Sequence, residues 1–344
     1  MIFIEEGLLR GRGSVMRILF IFTGGTIGST ESGGVRQADL EKPYKIISAY
    51  RERYGLDFEY DTAEPYTELS ENFTGEHIRA LIAEVKCGLK GDYDGIIVTH
   101  GTDTLQYSAA ALGYALGLDT IPVLLVSANA PIEDSRSNGL ANLRAAVRFI
   151  GLRAGLGVFA VYSDGCDGTL VHRATRLLPP KAFSDECASI FGQSFGRFNE
   201  KFEYAKNADF YERADETDVI SAEHLSERSK GILMLTPYVG MVYPSLDGIK
   251  WIVMNTYHSG TLDVKSESAL RFFGKVRELG ATVFAVGTTE ELCYASSAEF
   301  SKLGIIPLDN ISPPAAYMKL WMLTSEGRDP RLEMRGSLSG DVAL

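Results

Sequence analysis

Cysteine, histidine and positive charge are all scarce in this chain, and each scarcity removes a class of function. The four cysteines, Cys87, Cys166, Cys187 and Cys293, are scattered, with no C-x-x-C spacing. That pattern argues against a disulfide framework or a thiolate zinc site and fits free, partly buried thiols in a reducing cytoplasm. The five histidines show neither H-x-x-H nor H-E-x-x-H spacing, so neither a metal nor another cofactor is expected. Lys and Arg number 34 against 45 Asp and Glu, a formal net charge of −11. A nucleic-acid surface needs clustered Lys and Arg to neutralise phosphates, so none is expected, although backbone dipoles still suit a small anion. No run reaches the ~18 apolar residues that span a membrane. The first fifteen residues contain Glu5 and Glu6 and no long apolar core, unlike a secretory signal. A cytoplasmic protein without membrane association follows as the expectation. A phosphate-binding nucleotide loop is also discounted, because the chain has neither the Walker lysine nor G-x-G-x-x-G.

What is present is an ordinary core-forming composition, 45% hydrophobic and 23% charged, over 344 residues. That length is comfortable for two domains. Residues 1–16 read as an extension or disordered tail ahead of the first strand. Residues 17–205 read as an N-terminal catalytic domain, 206–230 as a charged linker, and 231–344 as a C-terminal α/β domain. The fold class is α/β: a larger, flavodoxin-like parallel-sheet domain followed by a smaller α/β domain.

Two short stretches organise the first domain. Arg17–Phe22 is an apolar, β-branched run that reads as a buried parallel strand. It ends in Thr23-Gly24-Gly25-Thr26-Ile27-Gly28, where adjacent glycines let the backbone turn sharply and approach a ligand. Gly95–Val98 is a second such strand and runs into Thr99-His100-Gly101-Thr102-Asp103-Thr104. The following helix is apolar at Leu105, Ala109, Leu112 and Leu116. Thr102 and Asp103 therefore sit at a strand's carboxyl end and a helix's amino end, where free N–H groups and the helix dipole favour an anion. Taken singly, each stretch also reads as a glycine turn with Thr and Asp as helix caps.

The remaining elements follow in order. Ser29–Arg36 is polar and glycine-bearing and reads as a mobile loop over the site rather than as an element. Thr74 reads as the N-cap of a helix with Ile78, Leu81, Ile82 and Val85 on one face. Ile121–Ser127 is a further buried strand, and the helix after it turns Leu140, Leu143, Val147 and Ile150 inward. Gly157–Tyr162 is another strand. In the second half, Gly231–Thr236, Trp251–Met254 and Thr282–Val286 are strands, with a helix over Ser266–Leu279 and another over Pro314–Leu323. Alternation of strand and helix with short connections predicts right-handed parallel βαβ units.

The pair T-G-G-T-I and H-G-T-D-T closely resembles the two signature stretches of the bacterial-type L-asparaginase family. The resemblance covers roughly Arg17 to Leu323, tighter in the first half. It implies hydrolysis of the asparagine side-chain amide by Thr26 as nucleophile, with Thr102 and Asp103 activating it. The roles of the two threonines are interchangeable at this level. It implies that Gly25, Ser70, Glu71, Gly101 and Ala128 contact a small amino-acid substrate, with Ser70 at its α-carboxylate and Asp103 and Glu71 at its amine. Backbone N–H groups near Gly101–Thr102 and Ala128–Asn129 are the candidate oxyanion donors. The run from Ser127 to Asn142 is similar to the family's third block. His258–Thr261 is similar to a turn of its smaller domain, with His258 read as a turn or core histidine rather than a ligand. The resemblance also implies a homodimer or homotetramer, in which the smaller domain lends an acidic group, Glu290 or Glu291, to a neighbour.

Three departures accompany it. No tyrosine lies between Thr26 and Tyr44, where the family's lid carries one. Glu71 replaces the usual Gln, and a carboxylate there favours an amine and repels a carboxylate. The family's R-x-x-K becomes Arg173 followed by Arg176, and arginine stays protonated and cannot act as a base. Either Lys181, after Pro179-Pro180, supplies the amine through an altered loop, or Arg176 provides only charge. Lys181 is the preferred assignment. The competing functional classes are an amidase of the same fold acting on glutamine or a tRNA-held amide, and an amino-acid-binding regulatory protein that has lost the base.

Overall fold

A computed structural model describes residues 15–24, 29–32, 35–38, 43–163, 168–181, 183–205, 218–288 and 294–343. Five parallel strands form the centre of the larger sheet: β1 (Met16–Phe22), β4 (Phe58–Ala63), β5 (Gly95–Thr99), β6 (Val123–Val126) and β7 (Val158–Ser163). They lie in the order β4-β1-β5-β6-β7. The helices α1 (Pro43–Tyr54), α2 (Gly75–Gly88), α3 (Leu105–Leu116) and α4 (Gly139–Gly151) connect or flank them. Alternate residues of β1 serve opposite faces, as the period of a strand requires. Leu19 and Ile21 pack with residues of α2 and α3, while Ile18, Phe20 and Phe22 pack with α1 and α4.

Past β7 the sheet changes direction. The strands β8 (Thr169–Arg173), β9 (Gly196–Phe198) and β10 (Phe202–Tyr204) extend it antiparallel to eight strands. The parallel reading of the first domain therefore holds for its centre and not for this edge. A second departure concerns residues 29–36, expected as a loop. They form β2 (Ser29–Ser32) and β3 (Val35–Ala38), an antiparallel pair with Ser32 opposite Val35. Gly33 and Gly34 lie outside the described residues; the flanking Thr30 and Val35 are β-branched, which favours strand.

The smaller sheet is wholly parallel, in the order β11 (Ile232–Leu235), β12 (Trp251–Asn255), β13 (Thr282–Thr288), β14 (Ile305–Asp309). Helix α5 (Glu267–Glu278) covers one face, capped by Ser266, whose hydroxyl accepts from the Ala269 N–H. The short helix α6 (Phe300–Leu303) precedes β14, and α7 (Pro313–Ser325) and α8 (Pro330–Glu333) follow it. Helix α7 packs on α3, so residues of both sheets share one hydrophobic cluster. That packing explains why α3 is buried nearly all round rather than on one face. Segment 218–230 enters the same cluster through Ile220, Ala222 and Leu225. No helix among the described residues is long and apolar enough to cross a membrane.

Candidate active site

The parallel strands change their direction of propagation between β1 and β5, and open α/β sheets bind ligands outside the carboxyl ends at such a switch point. Both signature stretches leave the sheet there. Phe22 is level with Thr99, and Thr99 with Val126, so the first, second and third blocks emerge from adjacent strands. The fully buried Thr23 hydroxyl donates to the Thr99 carbonyl at 2.7 Å and laces the first two together. Gly24 sits at φ +97°, and a Cβ there would lie 2.5 Å from the Glu68 carbonyl oxygen. Only glycine fits, because the chain at Glu68 bridges directly to it, with the Glu68 N–H donating to the Thr23 carbonyl. Gly25 and Thr26 lie outside the described residues.

This bridge delivers Ser70 and Glu71 to the same end of the sheet. Ser70 is buried, and its carbonyl accepts the Thr104 hydroxyl at 3.0 Å; Glu71 is exposed. The Glu68 carboxylate accepts from the Leu69 N–H and the Asn72 amide, and the Asn72 bond foremost holds it below its ordinary pKa. Thr74 caps α2 as the sequence suggested, its N–H donating to His77 Nδ1 at 3.1 Å.

The Thr102 hydroxyl donates to the Ala128 carbonyl at 3.0 Å and lies 2.8 Å from the Ser127 hydroxyl. Thr102 has one proton, and a carbonyl only accepts, so Ser127 must be the donor in the second bond. Ala128 is fully buried. The Asn129 N–H, expected as an oxyanion donor, is instead taken by Asn138 Oδ1 at 3.0 Å, and Asn138 N–H returns the bond to Asn129 Oδ1. This reciprocal pair commits the Asn129 N–H to holding the third block in shape and removes it from the oxyanion set.

Thr102, Asp103 and Lys181 line one cavity of about 470 Å³. Asp103 is exposed, and its carbonyl accepts from the Gln106 amide at 3.1 Å. The far wall is the loop from Leu177 to Cys187. There the Lys181 ammonium pairs with Glu186 at 2.6 Å, and Asp185 accepts the Asn129 amide at 3.1 Å. No hydrogen bond among the described residues joins Lys181 to Thr102. Burial pushes the Cys187 thiol on this wall and the Tyr162 hydroxyl, which lines the same cavity from β7, up to about 12, so both stay protonated near neutrality. Arg176 is elsewhere: its buried guanidinium donates to the Gly340 and Val342 carbonyls, at 2.7 and 2.8 Å. Glu290 and Glu291 are outside the described residues, and His258 occupies the exposed turn closed by Tyr257 and Thr261.

Ser127 and Thr104 stand inside the quoted motifs but were given no role there, and Gln106 and the acidic pair Asp185 and Glu186 lie outside them. Ser127 carried a signal, since it ends the buried run Ile121–Ser127 and opens the third block. The loop carboxylates carried none, because a Pro-bearing polar stretch has no periodicity to place it.

Gly101 is buried beside His100, whose ring is fully buried. Nδ1 lies 2.7 Å from the Gly101 carbonyl, which can only accept, so Nδ1 carries the proton and Nε2 accepts from the Ser108 hydroxyl at 2.8 Å. Burial lowers the His100 pKa to about 4, against an ordinary value of about 6.5. The unfolded chain thus binds this proton first. Stability is full above pH 6.5 and is lost as pH falls toward 4, by up to about 3 kcal/mol from this group. Urea midpoints between pH 7.5 and 4.5 should therefore fall more steeply for the wild type than for His100→Gln. Parallel pH dependences would show that His100 contributes no such linkage.

Comparison with known proteins finds relatives along nearly the whole chain. The family described as "Asparaginase, N-terminal" matches residues 17–198. A glutamyl-tRNA(Gln) amidotransferase subunit from Haloquadratum walsbyi is 27% identical over 351 residues, covering 96% of this chain and 76% of its own. Its counterpart from Pyrococcus furiosus is 26% identical over 359 residues, covering 97% and 78%. Among solved structures, the thermostable L-asparaginase from Thermococcus kodakarensis superposes with a TM-score of 0.76 at 21% identity, covering 96% of this chain and all of its own. L-asparaginase I from Vibrio cholerae gives 0.74 at 21%, with the same coverage. At such identity the solved structures establish the shared two-domain fold.

Proposed function

Because the chain belongs to the asparaginase family, we propose that it hydrolyses the side-chain amide of L-asparagine to aspartate and ammonia. The observation that carries this reading is the emergence of three motif-bearing strand ends side by side at the switch point, with Thr102 and Asp103 on the wall of a cavity there. An amide is resonance-stabilised and has a poor leaving group, and a bound hydroxyl divides that barrier into acylation and deacylation. Thr26 is assigned as the nucleophile. Thr102, oriented with Asp103 and served by Lys181, activates it or the later water, following the logic of hydroxyl, base and carboxylate. Ser70 and Glu71 are assigned to the substrate's α-carboxylate and amine, and Gly25, Gly101 and Ala128 are assigned as further substrate contacts.

The reading extends to a cytoplasmic homodimer or homotetramer. Its support is the exposed apolar segment after β11, where Tyr238, Val239 and Val242 are 53%, 95% and 78% exposed. Contiguous apolar surface of this kind marks contact sites.

A second reading has its own support. The named relatives that align along nearly the whole chain are amidotransferase subunits, so an amide donor used with glutamyl-tRNA(Gln) is the alternative substrate arrangement. Ammonia release separates the readings when measured with L-asparagine, D-asparagine and L-glutamine, the last with and without glutamyl-tRNA(Gln). Release from L-asparagine alone, abolished in Thr26→Ala while calorimetric binding persists, is the expected result. Release from glutamine only when the tRNA is present would transfer the assignment, and binding without any turnover would make the protein a sensor. Lys181→Met should slow release by about 10²-fold or more if this lysine is the base. A wild-type rate would remove it from the chemistry.

A further inference from the structure

The Ser70–Glu71 turn and the Thr102–Asp103 pair come from separate stretches of the chain, and one hydroxyl joins them. Thr104 occupies the N-cap position of α3, where a threonine side chain ordinarily accepts from a free N–H of its own helix. Here it makes no such bond. Its hydroxyl instead donates across to the Ser70 carbonyl at 3.0 Å. That carbonyl also accepts the Phe73 N–H at 3.1 Å, closing the single turn Ser70–Asn72, so both of its lone pairs are used. Helix α3 thus forgoes a stabilising cap for a bond to another segment.

The surroundings give this bond its weight. The Ser70 hydroxyl makes no hydrogen bond to a described residue, so the tie from Ser70 to α3 runs through its carbonyl. Glu68 braces the turn through the Leu69 N–H and the Asn72 amide, neither of which belongs to α3. Phe73 meets the His100 ring edge to face, with centres 5.0 Å apart. Phe73 and Thr104 also border a cavity of about 500 Å³ among α2, α3 and α7. Close packing, which fixes side chains in a filled interior, is therefore interrupted at this seam, and the hydroxyl bond spans it.

We propose that Thr104 is a positioning residue: by holding the Ser70 carbonyl it sets the Ser70–Glu71 turn relative to Thr102 and Asp103. It thereby governs affinity for the amino-acid end of the substrate and takes no part in cleaving the amide. The inference rests on the reading that Ser70 and Glu71 hold the substrate's α-carboxylate and amine.

The test combines steady-state ammonia release from L-asparagine with calorimetric titration of the full chain by L-aspartate, which carries the same α-carboxylate and amine. Thr104→Val should raise KM about tenfold and weaken aspartate binding to the same extent, the value of one lost hydrogen bond, with kcat within about twofold of the wild type. Thr104→Ser keeps the hydroxyl and should restore both KM and aspartate affinity. Thr104→Ala removes the hydroxyl without presenting a second methyl group to the Ser70 carbonyl, and decides the matter if the valine variant fails to fold. A fall in kcat at unchanged KM, or unchanged constants in a folded variant lacking the hydroxyl, would overturn the proposal and leave the amidohydrolase reading in place. A wild type that neither binds aspartate nor releases ammonia would overturn that reading and this inference with it.

Discussion

Replacing Thr102 by valine is expected to slow ammonia release by about 10³-fold while the folded structure persists, within the span known for removal of a positioned acid–base group. Valine keeps the branched shape of threonine and removes only the hydroxyl. In the resting site that hydroxyl gives its proton to the Ala128 carbonyl and receives one from Ser127. Its single proton is therefore committed, and an incoming group must be met by its remaining lone-pair capacity or by a switch of the Ala128 bond. Thr102→Ser retains both bonds and should retain most of the rate, whereas Ser127→Ala removes the donor and should give an intermediate loss. The valine variant also leaves the Ser127 hydroxyl and the Ala128 carbonyl short of a partner, at a cost of about 1–3 kcal/mol. Rate and stability must accordingly be measured on the same preparation. A variant that is folded and within tenfold of the wild-type rate would exclude Thr102 from the chemistry.

The parts of this site legible in the sequence are those set by local pattern. The apolar runs before Thr23, His100 and Ser127 each became a central strand, because a strand buried on both faces must be apolar throughout. The Thr74 cap, the start of α5 at Ser266 and the inward face of α4 followed from composition at fixed spacing. Adjacency of β1 and β5 required only that parallel connections be short and right-handed. What escaped has no period. The Asn129–Asn138 exchange is a polar contact between loops, and it removed an N–H that the sequence alone offered to an oxyanion. The edge strands β8, β9 and β10 are short, and their antiparallel order depends on which neighbour was free to pair. Arg176 is the sharpest case. Motif spacing aligned it with a catalytic lysine, yet its planar fork of donors is used on backbone carbonyls more than 160 residues away, a geometry lysine matches poorly.

Those carbonyls belong to the segment Leu338–Ala343, and Asp341→Ala should be the most destabilising single change outside the hydrophobic core, by about 3–5 kcal/mol. This segment runs between the two domains and is tied to both. From the larger domain, Thr175 donates to the Ser339 carbonyl at 2.9 Å and the Tyr114 hydroxyl donates to Asp341 at 2.9 Å. From the smaller, the Lys319 ammonium donates to the same carboxylate at 2.9 Å, and the Ala343 N–H donates to the Asn310 carbonyl. The Leu338 N–H fills the other carboxylate oxygen at 2.8 Å. Lys319 and Asp341 are 1% and 0% exposed, so their pairing cannot be replaced by water when one partner is removed. Alanine at 341 leaves a buried ammonium facing a tyrosine hydroxyl and a free N–H, which is the expensive half of the asymmetry between breaking a buried pair and replacing it. Asp341→Leu combined with Lys319→Met removes both charges, and should recover much of the loss in urea midpoint that either single variant shows. The surface pair Lys181–Glu186, 67% and 53% exposed, provides the contrast, since Glu186→Gln should change the unfolding free energy by less than about 1 kcal/mol. If Asp341→Ala unfolds within about 1 kcal/mol of the wild type, the segment is a passenger on the domain junction and does not hold it together.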